Sequence, residues 1–158
     1  MASGIKPGDK APDFTLTSQS GQSVRLYDRL RSKVVVLYFY PKDETPSCTA
    51  EACAFRDSYE VFTDAGAEVI GISSDSADKH AAFAGHHNLP FTLLSDEGSR
   101  VRKSFGVPPK LGLIPGRVTY VIDRTGTVRN SFNSMTNIDQ HVNQALKTVQ
   151  RLQANPPD

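Results

Sequence analysis

The run from Val34 to Tyr40 is apolar at every position and consists of β-branched and aromatic residues with one leucine. A strand with one wet face alternates apolar with polar, whereas one that is apolar on consecutive positions is buried on both faces. The strand, read over Lys33 to Tyr40, needs chain above and below it, which restricts the fold to a sheet sandwiched between other layers. The run is far too short to cross a membrane.

The rest of the pattern predicts strands alternating with helices. Phe14 to Leu26 alternates around Ser18-Gln-Ser-Gly21 and reads as a short hairpin. Pro41 ends the buried strand, and Pro41 to Ser47 is a loop. A helix is expected from Ser47 or Cys48 to Asp64, with Cys48, Ala52, Phe55, Tyr59 and Phe62 along one face and Gly66 as its stop. Glu68 to Ser73 reads as a second buried strand, Ser76 to His87 as a helix capped by Ser76, Phe91 to Leu94 as a short strand and Ser99 to Phe105 as a short helix. Val118 to Ile122 and Val128 to Phe132 flank Asp123-Arg-Thr-Gly-Thr127, a hairpin signature. Ile138 to Leu152 is the last helix, with Asn137 and Gln140 suited to its start. The order implies an α/β fold: a mixed sheet flanked by helices, preceded by an N-terminal β-hairpin. One domain is expected over residues 1–158, with an ordered core of about 6–152 and a frayed tail at Pro156-Pro157. A thioredoxin-like sandwich satisfies this order, although periodicity alone does not select it.

The 158 residues carry 18 Lys and Arg against 17 Asp and Glu, a net charge of +1. That balance gives no electrostatic case for nucleic acid or an anionic membrane. Met1 to Gly8 has no apolar core and does not read as a signal peptide. Two cysteines are too few for a secreted disulfide scaffold, so their reactivity is the better question.

Cys48 begins the predicted helix just past the buried strand, the position where α/β sheets bind ligands. Free N–H groups and the helix dipole favour an anion there, and the thiolate is the nucleophilic form of cysteine. Position alone serves a reactive thiol and a small buried hydrophobe equally well. Cys53 lies five residues on. In an intact helix such a pair has Cα atoms roughly 8–9 Å apart, beyond the 7 Å or so that a disulfide tolerates. A bond between them requires the first turns to unwind, which suits a transient oxidised state better than a staple. The spacing is not that of a redox-active C-x-x-C, and a zinc site would need more soft ligands.

Pro41, Thr45 and Cys48 spell P-x-x-x-T-x-x-C, which resembles the active-site pattern of peroxiredoxins. The second cysteine five residues later is similar to the peroxiredoxin Q branch, also called bacterioferritin comigratory protein. The likeness runs from about Lys6 to Leu152 and includes Phe39-Tyr-Pro-Lys-Asp43, Cys53-Ala-Phe-Arg-Asp57, Gly66-Ala-Glu-Val-Ile-Gly-Ile-Ser73, Leu94-Ser-Asp96 and Pro115-Gly-Arg117. Ser47 stands where the branch commonly has glycine. The resemblance implies a thioredoxin-like fold, reduction of hydrogen peroxide and organic hydroperoxides, no metal or cofactor, and recycling by thioredoxin or a similar dithiol. It implies Cys48 as the attacking thiol and Cys53 as the resolving one. Thr45 then offers a hydroxyl, Arg117 matches the family's active-site arginine, and Pro41 shapes and shields the loop. It also implies a monomer, in a plastid (thylakoid-associated or stromal) for a plant or alga and otherwise in the bacterial cytoplasm.

Other residues receive plainer expectations. Glu51, three residues past Cys48, is in reach of the loop, but a solvated face is the favoured reading, and Arg56 and Asp57 are assigned to a surface pair or a brace on a neighbour. His80, His86, His87 and His141 are read as surface residues without metal-ligand spacing. The Pro- and Gly-rich stretch from Phe105 to Pro115 reads as a loop near the site, with Val107, Leu111 and Leu113 divided between entrance and core. Two other functions remain open on the residues alone: a thiol–disulfide carrier and a binding module with incidental cysteines.

Overall fold

The computed structural model describes residues 4–109 and 115–156. The expected loop at 110–114, with Leu111 and Leu113, and the tail from Pro157 onward lie outside these residues.

A hairpin of β1 (Thr15–Ser18) and β2 (Ser23–Arg25) leads into a short helix α1 (Leu26–Leu30). The doubly apolar run forms β3 (Val34–Phe39), followed by α2 (Pro46–Asp57), α3 (Tyr59–Asp64) and β4 (Ala67–Ser73). Next come α4 (Ala77–His87), β5 (Thr92–Ser95) and α5 (Arg100–Ser104). The chain ends with β6 (Val118–Ile122), β7 (Val128–Asn133) and α6 (Ile138–Ala154). All seven strands join one sheet in the order β2-β1-β5-β4-β3-β6-β7. β3, β4 and β5 run parallel, while β6 lies antiparallel to β3. The sheet is therefore mixed, and β3 sits inside it, as its apolar run requires.

Alternation along β3 divides the interior in two. Val36, Tyr38 and Tyr40 face a core shared with α2, α3, α4 and α6, while Val35, Leu37 and Phe39 face a second core with α1 and α5. This is the thioredoxin-like sandwich with an N-terminal hairpin.

Two local features differ from the sequence reading. The expected helix to Asp64 breaks at Ser58, whose backbone leaves the helical region (φ −103°, ψ 4°). Both pieces bury the same face, so the apolar spacing continues across the break and does not report it. α1 was not expected, because five residues are too few for a helical period to register; Leu26 and Leu30, four apart, supply its buried face. The caps follow the sequence: the Ser76 hydroxyl accepts from the Lys79 N–H, and Asn137 accepts from Gln140.

Phe55 anchors α2 to the sheet by stacking on Tyr38, with centroids 4.6 Å apart and both rings inaccessible to solvent. Phe55→Ala is expected to cost about 3–5 kcal/mol of folding stability, through lost transfer energy and the cavity left behind. Urea unfolding checks this: the midpoint should fall with little change in slope.

Candidate active site

Thr45 precedes α2, and Pro46 occupies its first turn, where a missing N–H costs nothing. The first bond onto the helix runs from the Thr49 N–H to the Thr45 carbonyl at 2.8 Å. Ser47 and Cys48 come before it, so their N–H groups have no intrahelical acceptor and can serve an anion. Cys48 is 1 % exposed.

Arg117 reaches this point from the loop before β6 and is itself 2 % exposed. One terminal nitrogen donates to Cys48 Sγ at 3.4 Å, the other to Glu51 Oε1 at 2.5 Å, and Nε donates to the Met135 carbonyl at 3.2 Å. The guanidinium is thus held on three sides. Burial opposes its charge, but Glu51 and Cys48 more than offset that, so its pKa lies above the ordinary arginine value. The loop comes close only because residue 116 is glycine: a Cβ there would lie 2.1 Å from the Pro108 carbonyl oxygen.

Glu51 is not on a solvated face; it is fully buried, one helical turn past Cys48 on the packed side of α2. Its Oε2 has no hydrogen-bond partner among the described residues and lies 3.6 Å from His141 Nδ1. His141 is not a surface residue either. Its Nε2 lies 2.7 Å from the Ser134 carbonyl and so donates to it, which leaves Nδ1 to accept from the Thr119 hydroxyl at 2.7 Å. Both corrections have one cause: α6 and the loop after β7 close over this side of α2, which no local pattern announces.

The other sequence-predicted residues surround the thiol loop. The Thr45 hydroxyl donates to the Lys42 carbonyl at 2.8 Å, so its proton is engaged and its lone pairs remain to accept. Pro41 is half-buried just past β3, and Cys53 is half-buried with a free thiol. Val107 belongs to the core. A cleft of about 500 Å³ opens beside the Arg117 loop, between Pro108, Pro109, Gly116 and residues 133–136. Arg56 meets Asp57 and also braces the His87 carbonyl.

Three positioning groups were missed. Arg102, on α5, donates to the carbonyls of Tyr40 at 2.7 Å and Gly116 at 2.6 Å, tying the residue before Pro41 to the residue before Arg117. Asp96 holds that helix start by accepting from the Val101 and Arg102 N–H groups. His80, read from sequence as a surface residue, is fully buried: its Nδ1 lies 2.6 Å from Asp43, which also accepts from the Tyr40 hydroxyl. Asp43 in turn donates its N–H to Asp75. The reactive loop is braced from below by this network. A buried position for Asp43, in a run otherwise polar, has no local signal.

The pocket also makes a pH prediction. Burial pushes the Glu51 carboxyl up to about 7, although Arg117 pulls it down. Burial lowers His141 to about 4, with the Ser134 carbonyl opposing and Arg117 adding to the drop. A folded carboxyl that holds its proton more tightly than the unfolded chain loses stability as pH rises from 4.5 to about 7. A histidine kept neutral does the reverse, gaining stability as pH rises from about 4 to 6.5. Each contribution is on the order of 3 kcal/mol, and in the wild type they offset. Guanidinium unfolding across this range should show stability falling with pH in His141→Gln and rising with pH in Glu51→Gln.

The chain is similar to known proteins along most of its length. The model of the AhpC/TSA family matches residues 7–131. The chain is 53% identical over 149 residues to chloroplastic peroxiredoxin Q of Sedum lineare, covering 94% of this chain and 80% of that protein. It is 54% identical over 149 residues to chloroplastic peroxiredoxin Q of Triticum aestivum, covering 94% and 68%. The crystal structure of peroxidoxin BcpB from Mycobacterium tuberculosis superposes with a TM-score of 0.87 at 39% identity, covering 94% of this chain and 98% of that one. Peroxiredoxin Q of Xanthomonas campestris gives 0.82 at 27% identity, covering 89% and 91%. With a matching sandwich and relatives that span nearly its whole length, the chain belongs to the AhpC/TSA family, in its peroxiredoxin Q branch.

Proposed function

We propose that the chain is a thiol-dependent peroxidase in which Cys48 attacks the peroxide and Cys53 resolves the product. The observation that carries the reading is the buried Cys48 sulfur at a helix start, 3.4 Å from the Arg117 guanidinium. The thiolate attacks one peroxide oxygen, the O–O bond breaks, and the sulfur becomes a sulfenic acid while the departing oxygen takes a proton from solvent. Arg117 and the free N–H groups of Ser47 and Cys48 are fixed in place before the charge moves, which is where electrostatic stabilisation gains most. The Thr45 oxygen, with its own proton committed to Lys42, is free to accept from the peroxide. Pro41 limits water at the loop.

The sulfenic acid then condenses with Cys53, with loss of water, after the start of α2 unwinds. Thioredoxin or a similar dithiol opens the disulfide through a mixed-disulfide intermediate. The burial of Cys48 disfavours a general thiol carrier: a small peroxide can reach a sulfur that is 1 % exposed, and a folded protein disulfide cannot. No helix of the described residues is long and apolar enough to cross a membrane. We place the protein in a plastid, in keeping with its chloroplastic relatives, with the bacterial cytoplasm as the alternative, and propose a monomer on the family resemblance alone.

Peroxide consumption with thioredoxin, thioredoxin reductase and NADPH tests the reading. Cys48→Ser and Cys53→Ser should each lose turnover, and only Cys53→Ser should accumulate sulfenic acid in a single turnover. Unchanged turnover in Cys48→Ser would refute the peroxidase assignment.

A further inference from the structure

Glu44 directly precedes Thr45 in the loop that carries the reactive thiol, and its backbone is in the left-handed region at φ 64°. Its carboxylate turns toward the last turn of α4. Oε1 lies 3.0 Å from His87 Nε2, and Oε2 lies 3.2 Å from His86 Nδ1. The sequence showed no metal spacing among the histidines, because residues 44 and 86–87 meet only in the fold. Consecutive helical residues point about 100° apart. These two converge because His86 uses its near ring nitrogen and His87 its far one, with ring centroids 4.3 Å apart. All three ligand atoms lie within 4.8 Å of one another.

We propose that Glu44, His86 and His87 form a surface site for a divalent ion of the zinc class, which clamps the Cys48 loop to α4 and slows disulfide formation. The second half of this statement rests on the peroxidase reading; the binding half does not. The spacing fits the ion. Zinc bonds of about 2.0–2.2 Å at tetrahedral angles place neighbouring ligand atoms roughly 3.3 Å apart, and Glu44 Oε1 alone lies 3.0 Å from His87 Nε2 and 3.3 Å from His86 Nδ1. A fourth position remains for water. His86 and His87 occupy the C-terminal turn of α4, where the helix dipole favours a cation. His87 is held in place: its ring packs edge-on to Phe83 at 5.1 Å, and its carbonyl accepts from Arg56 at 2.8 Å.

The donor set selects the metal. Two imidazoles and one carboxylate suit zinc, copper or nickel rather than magnesium or calcium. The hollow beside Glu44 is bordered by Lys42 and Lys79 and equally by Asp43 and Asp75, so the choice of ion rests on the donor set and not on the surrounding charge. The ion stays divalent and transfers no electron. Its effect is mechanical: Cys48 reaches Cys53 only when the start of α2 unwinds, and a bridge from Glu44 to α4 holds the residue two before that helix. An ion that binds the folded loop and not the opened one lowers the opening equilibrium about tenfold at ten times its Kd.

Zinc titration by calorimetry on the Cys48→Ser/Cys53→Ser protein removes thiol binding from the readout. One zinc per chain is expected, with affinity lowered at least tenfold when His86→Ala or Glu44→Gln is added; both side chains are exposed, so folding should survive. Stopped-flow oxidation of the protein with both cysteines, with and without zinc, should show an unchanged sulfenic-acid step and disulfide formation slowed about tenfold. The slowing should vanish in His86→Ala. No saturable binding, or binding indifferent to both substitutions, would overturn the site. Bound zinc without slowing would overturn the clamp. If zinc-free protein forms neither sulfenic acid nor disulfide, the peroxidase reading fails and the clamp with it, while the calorimetric isotherm still decides the site.

Discussion

A guanidinium buried as deeply as that of Arg117 is costly unless its N–H groups are answered and its charge is balanced. Here the answers come from Cys48, Glu51 and the Met135 carbonyl, contributed by two separate stretches of chain. Most of the surrounding structure serves that arrangement. α2 presents Cys48 and Glu51 three residues apart on one face, so a single guanidinium can hold both. Gly116 lets the Arg117 loop pass against Pro108. α6 seals the far side with His141, whose neutral ring adds no second positive charge to a pocket that already has one.

The positions of thiol and guanidinium relative to each other depend on a second buried arginine. Arg102 bridges the carbonyls before Pro41 and before Arg117, and Asp96 fixes the helix from which it reaches. Under the loop, the Tyr40, Asp43, His80 and Asp75 network sets where the chain turns after β3. A transition state that requires charge to appear at one place benefits from partners that cannot rearrange. The same rigidity would oppose the proposed resolving step, in which the start of α2 has to come apart. The helix start itself carries Pro46 in its first turn and follows a loop residue at positive φ.

Much of this was legible before folding was considered. The doubly buried strand, the hairpins, the caps at Ser76 and Asn137, and the placement of Cys48 after a strand all follow from interactions within a few residues, which leave a period or a turn residue in the sequence. The P-x-x-x-T-x-x-C spacing is local in the same sense: Pro41, Thr45 and Cys48 occupy one loop and one helical turn. Where the reading failed, the cause was equally physical. Glu51 and His141 look like solvated residues because polar side chains usually are, and only the approach of Arg117 and the loop after β7 makes their burial tolerable. The break at Ser58 was hidden because two helices that bury one face keep one period.

Local pattern is enough for the order of the strands and of the longer helices, for the central place of β3, and for a thiol at a helix start with a second thiol out of disulfide reach. Those properties depend on near neighbours and on which face is apolar. Which charges share a dry pocket, which arginine braces the loops and which touches sulfur, and the meeting of Glu44 with His86 and His87 are set by folding. Those depend on contacts between residues many positions apart, whose energies exist only once the chain has closed around them.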